Sequence, residues 1–409
     1  MKEETISILR INPNTKFWYF RAGERASFYL DFKYNNYIST GSPKVSLDLI
    51  HTTVLEKTTS NNHLTEKSIQ SIYENLFSEV HEKLMKESET YQKVDKRNIP
   101  PEEKSTEKNR LLKIAKNDAR ARARNAFIFE QKMSVGDVVI VPTYGSKNLL
   151  IGIVFSGVNS EETPYFEVWE DDKRKDYPKS DYTLKRQVYW IREIDYREFP
   201  KELQGIRFQH RAINELTENL DRMQLILANR FVYENKVHSR IDVQTQKPVF
   251  SNSLFDLQKV IKELNVDNIN IQQKTQIASP GWIEFITNLS NWPGMLTVSA
   301  VLTGAAVQLI RNSKLKLEDI ACLIPHTKTR EIFKENREAE LNEAKIRRLK
   351  SEQELKNFNS ETQESAKKIN GISDETLKEA MEVRNILEID ERKIMKLPSS
   401  NQEKNLEKK

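Results

Sequence analysis

The sequence predicts an α+β protein in which a small β-barrel or sandwich, split by a helical insert, is followed by a compact α+β unit and a charged C-terminal helix. Three observations carry this. Six short segments rich in β-branched and aromatic residues, each bounded by Gly, Pro, Asn or Ser, fall within the first part of the chain. A charged stretch with helical spacing separates the second from the third. Beyond residue 230, strand-like and helix-like segments alternate.

The six strand segments are 17–22 (FWYFRA), 36–40 (NYIST), 137–142 (DVVIVP), 149–156 (LLIGIVFS), 164–169 (PYFEVW) and 186–194 (RQVYWIREI). Within the insert, residues 64–130, Ile69, Ile72, Leu76 and Val80 keep helical spacing. Pro100 and Pro101 break the run, and a second helix is expected from about residue 105 to 130. The first domain accordingly spans 1–205.

Ile213, Leu216, Leu220, Met223 and Leu227 predict a helix over 207–228 that connects to a second domain at 206–325. Its expected order is strand (230–243), helix (253–264), strand (268–277) and helix (281–290). Residues 292–310 (WPGMLTVSAVLTGAAVQLI) are uncharged and precede Arg311, Lys314 and Lys316. That length fits a membrane span, whereas its Thr, Ser and Gln content fits a buried core helix, and both stand at this point.

The last region, 326–409, is charged. Glu343 with Arg347 and Glu352 with Lys356 support an exposed helix, but Leu341, Ile346, Leu349, Leu355 and Phe358 hold no heptad. Gly371 closes that helix, Asp374 caps a short amphipathic one to about residue 389, and the Lys- and Asn-rich end from 397 is expected to be disordered.

The charge balance limits the function. With 65 Lys and Arg against 60 Asp and Glu, the net charge of +5 is too small for a nucleic-acid coat, so any basic surface must be local. Cys322 is the only cysteine, which excludes an internal disulfide and a Cys-based zinc cluster. The histidines at 51, 63, 81, 210, 238 and 326 lack ligand spacing, so no metal or cofactor is expected. The opening MKEETISILRINPNT has neither the basic start nor the apolar run of a secretion signal, and the expected compartment is the cytoplasm.

Catalytic motifs are missing from the sequence. There is no phosphate-cradling G-x-x-x-x-G-K-S/T and no G-x-S-x-G. The acids and lysines at Glu343 to Lys345 and at Glu170, Asp171, Asp172 and Lys173 do not make a convincing nuclease centre, and no catalytic residue is assigned.

Two constellations could bind a ligand. In FWYFRAGERA at 17–26, Trp18, Arg21, Glu24 and Arg25 combine aromatic faces with guanidinium groups, the equipment for stacking on bases. Strand alternation places at least one aromatic pair of this block in the core, so ordinary packing is the competing explanation. Arg110, Lys113, Lys116, Arg120, Arg122 and Arg124 oppose only Asp118, and 113, 116, 120 and 124 share one helical face. That face either follows a phosphate backbone or simply keeps the helix solvated.

The order WYFRAGE at 18–24, F-x-x-x-M-x-x-GDVVIVP from Phe129 to Pro142, IGIVFSG at 151–157 and RQVYWIREI at 186–194 resembles the N-terminal β-barrel module of bacterial restriction and phage-defence proteins, including Mrr-like endonucleases. The resemblance covers about the first half of the chain and implies an SH3/PUA-like barrel that recognises DNA or nucleotide features. The positions it carries over are Arg21, Gly23, Glu24, Gly136, Asp137, Gly152, Val188 and Trp190. One departure is Ser39-Thr40-Gly41-Ser42, where the pattern gives a Gly-Trp pair.

The implied function is a nucleic-acid or nucleotide-signal binding component of a bacterial defence or restriction-type system. Its expected partners are DNA, RNA or a nucleotide signal, together with a protein partner or a second copy of the chain. A membrane-associated effector anchored through 292–310 and a nuclease with an unrecognised site are the competing expectations.

Overall fold

The computed structural model describes residues 4–59, 65–160, 168–170, 173–199, 201–208, 211–216, 223, 226–243, 251–264, 270–276, 281–303, 313–324, 327–341, 374–387 and 389–390. The chain is mixed α+β and divides into two units. One is Met1–Thr15 with Glu218–Arg330 and Leu341–Met395; the other is Lys16–Thr217 with Glu331–Glu340 and Lys396–Lys409.

Strand β1 (Glu4–Arg10) opens the chain and belongs to the first of these. From Lys16 the chain builds a half-barrel unit. Strand β2 (Phe17–Phe20) leads through a turn to α1 (Tyr29–Asn35), and Asn36, left-handed at φ 56°, ends that helix and starts β3 (Tyr37–Thr40). Helices α2 (Leu47–Thr59), α3 (Glu66–Glu87), α4 (Glu89–Lys96) and α5 (Pro101–Phe127) follow. Thr65 and Ser88 cap α3 and α4 by accepting from the Ser68 and Tyr91 amides. Pro101 sits in the first turn of α5, where a proline's missing N–H leaves no bond unmade.

One π turn, Ile128–Lys132, ends α5. Strands β4 (Val138–Pro142), β5 (Asn148–Val154), β6 (Val168–Glu170), β7 (Lys173–Lys175), β8 (Leu184–Asp195) and β9 (Ile213–Glu215) complete the unit. Six strands in the order β3-β8-β5-β4-β2-β9 form a sheet curled into a half-barrel, while β6 and β7 make a separate hairpin. Of the neighbouring pairs in that sheet, β2 and β4 run parallel and the rest antiparallel.

Trp18, Phe20, Phe32, Phe77 and Phe129 fill the core with the alanine stripe Ala119, Ala123 and Ala126 of α5. Each fully buried Phe contributes about 1.5–3 kcal/mol relative to exposure. A bulge between Ile151 and Gly152 brings β5 against β8, and a Cβ at Gly152 would lie 2.4 Å from Val188 Cγ1 and 2.5 Å from Trp190 Cε3. Buried Arg186 donates to the carbonyls of Phe129 (3.0 Å), Met133 (2.6 Å) and Ser156 (3.0 Å), which ties the π turn to the sheet.

In the other unit, β10 (Arg230–Tyr233) and β11 (Lys236–Val243) form a hairpin across Glu234 and Asn235, both left-handed as a tight two-residue turn requires. Helix α6 (Ser251–Leu264), β12 (Gln272–Gln276), β13 (Gly281–Asn288), α7 (Trp292–Thr303) and β14 (Ser313–Glu318) follow. Helix α8 (Thr327–Leu341), of which Glu331–Glu340 belongs to the half-barrel unit, and then α9 (Asp374–Leu387) and β15 (Ile389–Asp390) of this unit close the described chain. The sheet order is β12-β13-β11-β10-β1-β14, with β15 beside β11; β1 lies between β10 and β14, parallel to both. Its core packs one sheet face with Leu257, Val260, Trp292, Met295, Leu302, Ala380 and Val383.

Several expectations change. Of the helix predicted over 207–228, Ile213–Glu215 is instead the strand β9, because the open edge of β2 pairs with it, and a 3-10 turn occupies Lys201–Phe208; Met223 is helical, and 209–210, 217–222 and 224–225 lie outside the described residues. Where a helix was expected over 281–290, Gly281–Asn288 form a strand and Leu289–Asn291 a 3-10 turn: Trp-Ile-Glu-Phe-Ile pairs with both β11 and β12. The single strand expected at 230–243 is the β10–β11 hairpin. Strands β1 and β14 and helices α1 and α2 were not anticipated, and residues 1–15 leave the first domain.

The uncharged run at 292–310 is described only as far as 303, and that part is the largely buried helix α7. Among the described residues no helix is long and apolar enough to cross a membrane. The expected charged helix beyond Leu341, the closing Gly371, the end from 397, and 164–167 of the fifth strand segment lie outside the described residues.

Candidate nucleic-acid interface

The aromatic block 17–20 is buried on both faces of β2. Trp18 and Phe20 point into the core, where Phe20 packs on Phe32 and Phe129 at centroid distances of 6.1 and 5.8 Å. The Trp18 indole donates to Asp137 Oδ2 at 2.8 Å, and that of Trp190 to the Phe32 carbonyl at 2.9 Å. Neither tryptophan therefore presents a ring for stacking, which corrects the expectation for both. The same packing places Gly152 and Val188, the other β5 and β8 positions of the resemblance, in the core.

Where β2 ends the arrangement changes. Arg21 is half-buried, and its guanidinium donates to the Arg207 carbonyl at 2.6 Å. Gly23 follows at φ 75°, with its Cα so close to the Phe28 ring that a Cβ would stand 2.6 Å from it. The chain then makes the turn Glu24–Ala26, with Glu24 and Arg25 exposed, beside a second turn, Tyr144–Ser146, between β4 and β5.

Both turns are strained: Arg25 (φ 52°), Ala26 (φ 58°) and Ser146 (φ 53°) are left-handed although none is glycine. Each such residue costs about 1–3 kcal/mol and persists only where surrounding contacts hold it. The Tyr19 hydroxyl lies 3.5 Å from Ser146 Oγ, and the Tyr196 amide donates to the Lys147 carbonyl at 2.8 Å. Burial raises the Tyr19 phenol, opposed by its contact with Ser146 and by the charges of Arg21 and Arg207.

Arg207 completes this end. Its guanidinium lies over the rings of Phe208 (4.6 Å) and Tyr196 (5.4 Å). Phe208 is 70% exposed and Tyr144 68%, large rings left in water. Of the sequence candidates, the fold brings Arg21, Glu24 and Arg25 to this end and sends Trp18 and Trp190 to the core. Tyr144, Arg207 and Phe208 were missed; the Tyr-Gly-Ser turn behind DVVIVP was the only local signal, and Arg207-Phe208 sat inside a stretch with helical spacing.

The second constellation lies on α5. Lys113, Lys116, Arg120 and Arg124 are all exposed, and the face carrying Ala115, Ala119, Ala123 and Ala126 is buried. Small alanines let α3 pack closely there, so the long cations are left outward. Lys116 pairs with Glu82 at 3.0 Å, while among the described residues no carboxylate pairs with Lys113, Arg120 or Arg124. Arg110 pairs with Glu107, and Arg122 turns inward to Asp118 (2.7 Å), the Gly41 carbonyl and the Tyr182 ring.

Two polar clusters resemble catalytic arrangements. His81 Nε2 is 3.0 Å from Ser42 Oγ, and its Nδ1 is 3.9 Å from Asp118 Oδ2. Burial and the Arg122 charge lower the His81 pKa, so the ring is neutral near pH 7. Ser42 is buried, however, and Asp118 is held by Arg122, so this order of groups lacks an accessible nucleophile. On the π turn, Glu130 binds His51 Nε2 at 2.7 Å and the Tyr73 hydroxyl at 2.6 Å. Among the described residues no cluster of His, Cys, Asp or Glu could hold a metal.

The Ser39–Ser42 stretch, where the resemblance departs from its pattern, is buried polar structure: Ser39 Oγ meets Ser180 Oγ at 2.8 Å, and Thr183 donates to the Ser42 carbonyl at 3.0 Å. No ring is offered there. Comparison with known proteins finds no matching protein-family model, no matching curated protein and no matching solved structure.

Proposed function

We propose that this chain is a nucleic-acid or nucleotide-signal binding component of a bacterial defence or restriction-type system, acting in the cytoplasm. Its half-barrel unit would be an SH3/PUA-like barrel with α2–α5 inserted between its strands, and the other unit would serve assembly with a protein partner or a second copy. The observation that carries the proposal is the end of β2, where Arg21 holds the Arg207 carbonyl, Arg207 lies over the exposed ring of Phe208, and the turn of Arg25 adjoins the turn of the exposed Tyr144. Guanidinium groups bind phosphate and exposed rings stack on bases, so one patch supplies both interactions.

The test is binding of labelled DNA and RNA, and of a nucleotide panel, to the purified full chain at low salt. Affinity that falls with salt and weakens about tenfold or more in Arg25→Glu is the expected outcome, since this exposed side chain is free to meet phosphate. Absence of binding to every probe would sink the proposal.

A further inference from the structure

We infer that the ligand of the Arg21/Arg207 end is an unpaired nucleobase carrying a phosphate, stacked face-on against Phe208 and Tyr144. This rests on the nucleic-acid function proposed above and narrows its ligand class. Inside a duplex each base face is covered by its neighbours, and only edges and backbone are presented. A protein that reads a duplex by its edges and backbone gains no base stacking from an exposed ring, unless it wedges the ring between base steps, whereas one that binds unpaired bases stacks them on it directly.

The ring geometry fits the second case. Trp18, Phe20, Phe32, Tyr37, Phe129 and Trp190 of the same unit are buried, so the exposure of Phe208 and Tyr144 is not a general shortage of core. Arg207 lies over the rings of Phe208 and Tyr196, and its carbonyl accepts from Arg21, so the backbone that carries Phe208 is tied to the end of β2. Arg25 and Lys147 are exposed on the two neighbouring turns and supply charge for a phosphate. The left-handed backbone of Arg25, Ala26 and Ser146 is strained and persists only because surrounding contacts hold those turns, so they are set in one shape before any ligand arrives.

The experiment measures binding of the full chain to a labelled short single strand and to the duplex of the same sequence, with mononucleotides as competitors. The expected result is that the single strand binds about tenfold or more tightly than the duplex. Phe208→Ala and Tyr144→Ala each weaken it about fivefold or more, and Phe208→Tyr restores it. Both rings are exposed, so the alanine variants keep the fold, which circular dichroism verifies. Displacement by mononucleotides at concentrations comparable with the single strand supports the inference with a free nucleotide as the source; resistance to them supports it with a strand as the source. Duplex bound as tightly as single strand, or both alanine variants binding like the parent, overturns the inference while leaving nucleic-acid binding intact. Failure of every probe overturns the underlying function instead.

Discussion

The indole of Trp18 and the carboxylate of Asp137 meet at 2.8 Å across more than a hundred residues of sequence, and that bond joins the first strand of the half-barrel to the turn that begins β4. Asp137 also accepts from the Lys16 amide at 3.0 Å and the Ser134 amide at 2.9 Å. All its partners are donors. In Asp137→Asn the amide NH₂ must face one or two of them, leaving buried donors unmatched. The expected loss is about 1–3 kcal/mol of unfolding free energy, read by denaturant titration. A variant as stable as the parent would show that the bonds are not formed in solution.

The same carboxyl predicts an unusual pH dependence. Burial, partly opposed by its three hydrogen bonds, pushes its pKa up from 3.8 to about 6. The folded chain therefore binds this proton more tightly than the unfolded chain does. Stability from this group is fully present below pH 3.8, is lost as pH rises from 3.8 through about 6, and is level above; the total is on the order of 3 kcal/mol. Glu82, Glu193 and Asp195, whose pKa values are lowered by their cationic partners, act in the opposite sense. The difference between parent and Asp137→Asn isolates the effect: it should be larger at pH 4.5 than at pH 7, in a window set by the two pKa values. An equal difference at both pH values would refute the raised pKa.

The half-barrel was legible in sequence because its strands are bounded by turn residues whose role is local. Gly136, at φ 96°, and Asp137, bonding the Ser134 amide, start β4 by short-range chemistry alone. The edge of the same sheet was not legible. Ile213-Asn214-Glu215 is too short, and with Asn and Glu too weak, a strand signal to read alone, and it pairs where β2 leaves an edge open. Strand β1 escaped for the converse reason: its partners lie more than two hundred residues away, at 231–232 and 313–318. The candidate site divides in the same way. Arg21, Glu24 and Arg25 were readable from one contiguous block, whereas Tyr144 and Phe208 join them only through tertiary contacts.

Gly152 tests the close approach of β5 and β8. In Gly152→Ala the new methyl meets both Val188 and Trp190 at less than 3 Å, and neither buried side chain is a flexible end that swings aside. Overpacking of this kind costs about 1–3 kcal/mol. The combined Gly152→Ala and Val188→Ala variant relieves only the valine contact and should not recover full stability. A single Gly152→Ala variant with an unchanged melting temperature would contradict the geometry.

Arg186 tests the coupling of the π turn to the sheet. In Arg186→Lys the fork that reaches the carbonyls of Phe129, Met133 and Ser156 becomes a single ammonium, which cannot span them. Amide exchange at 128–133 should then rise well before global unfolding, with a stability loss on the order of 2 kcal/mol. Protection equal to that of the parent would mean that the helix end is held by other contacts.

The basic face of α5 separates solvation from phosphate binding. Replacing Lys113, Lys116, Arg120 and Arg124 by Gln removes four exposed charges and keeps helix propensity. Among the described residues the one ion pair lost is Lys116 with Glu82, an exposed contact worth about 0–1 kcal/mol, so the melting temperature should hardly move. If the face follows a nucleic-acid backbone, the magnitude of the slope of log K against log salt falls by about 0.7 per removed cation for a single strand and about 0.9 for duplex DNA, roughly 3 and roughly 3.6 in all. An unchanged slope would assign the face to solvation alone. Binding would then rest on the end of β2, where Arg25→Glu and Phe208→Ala act and the α5 substitutions do not.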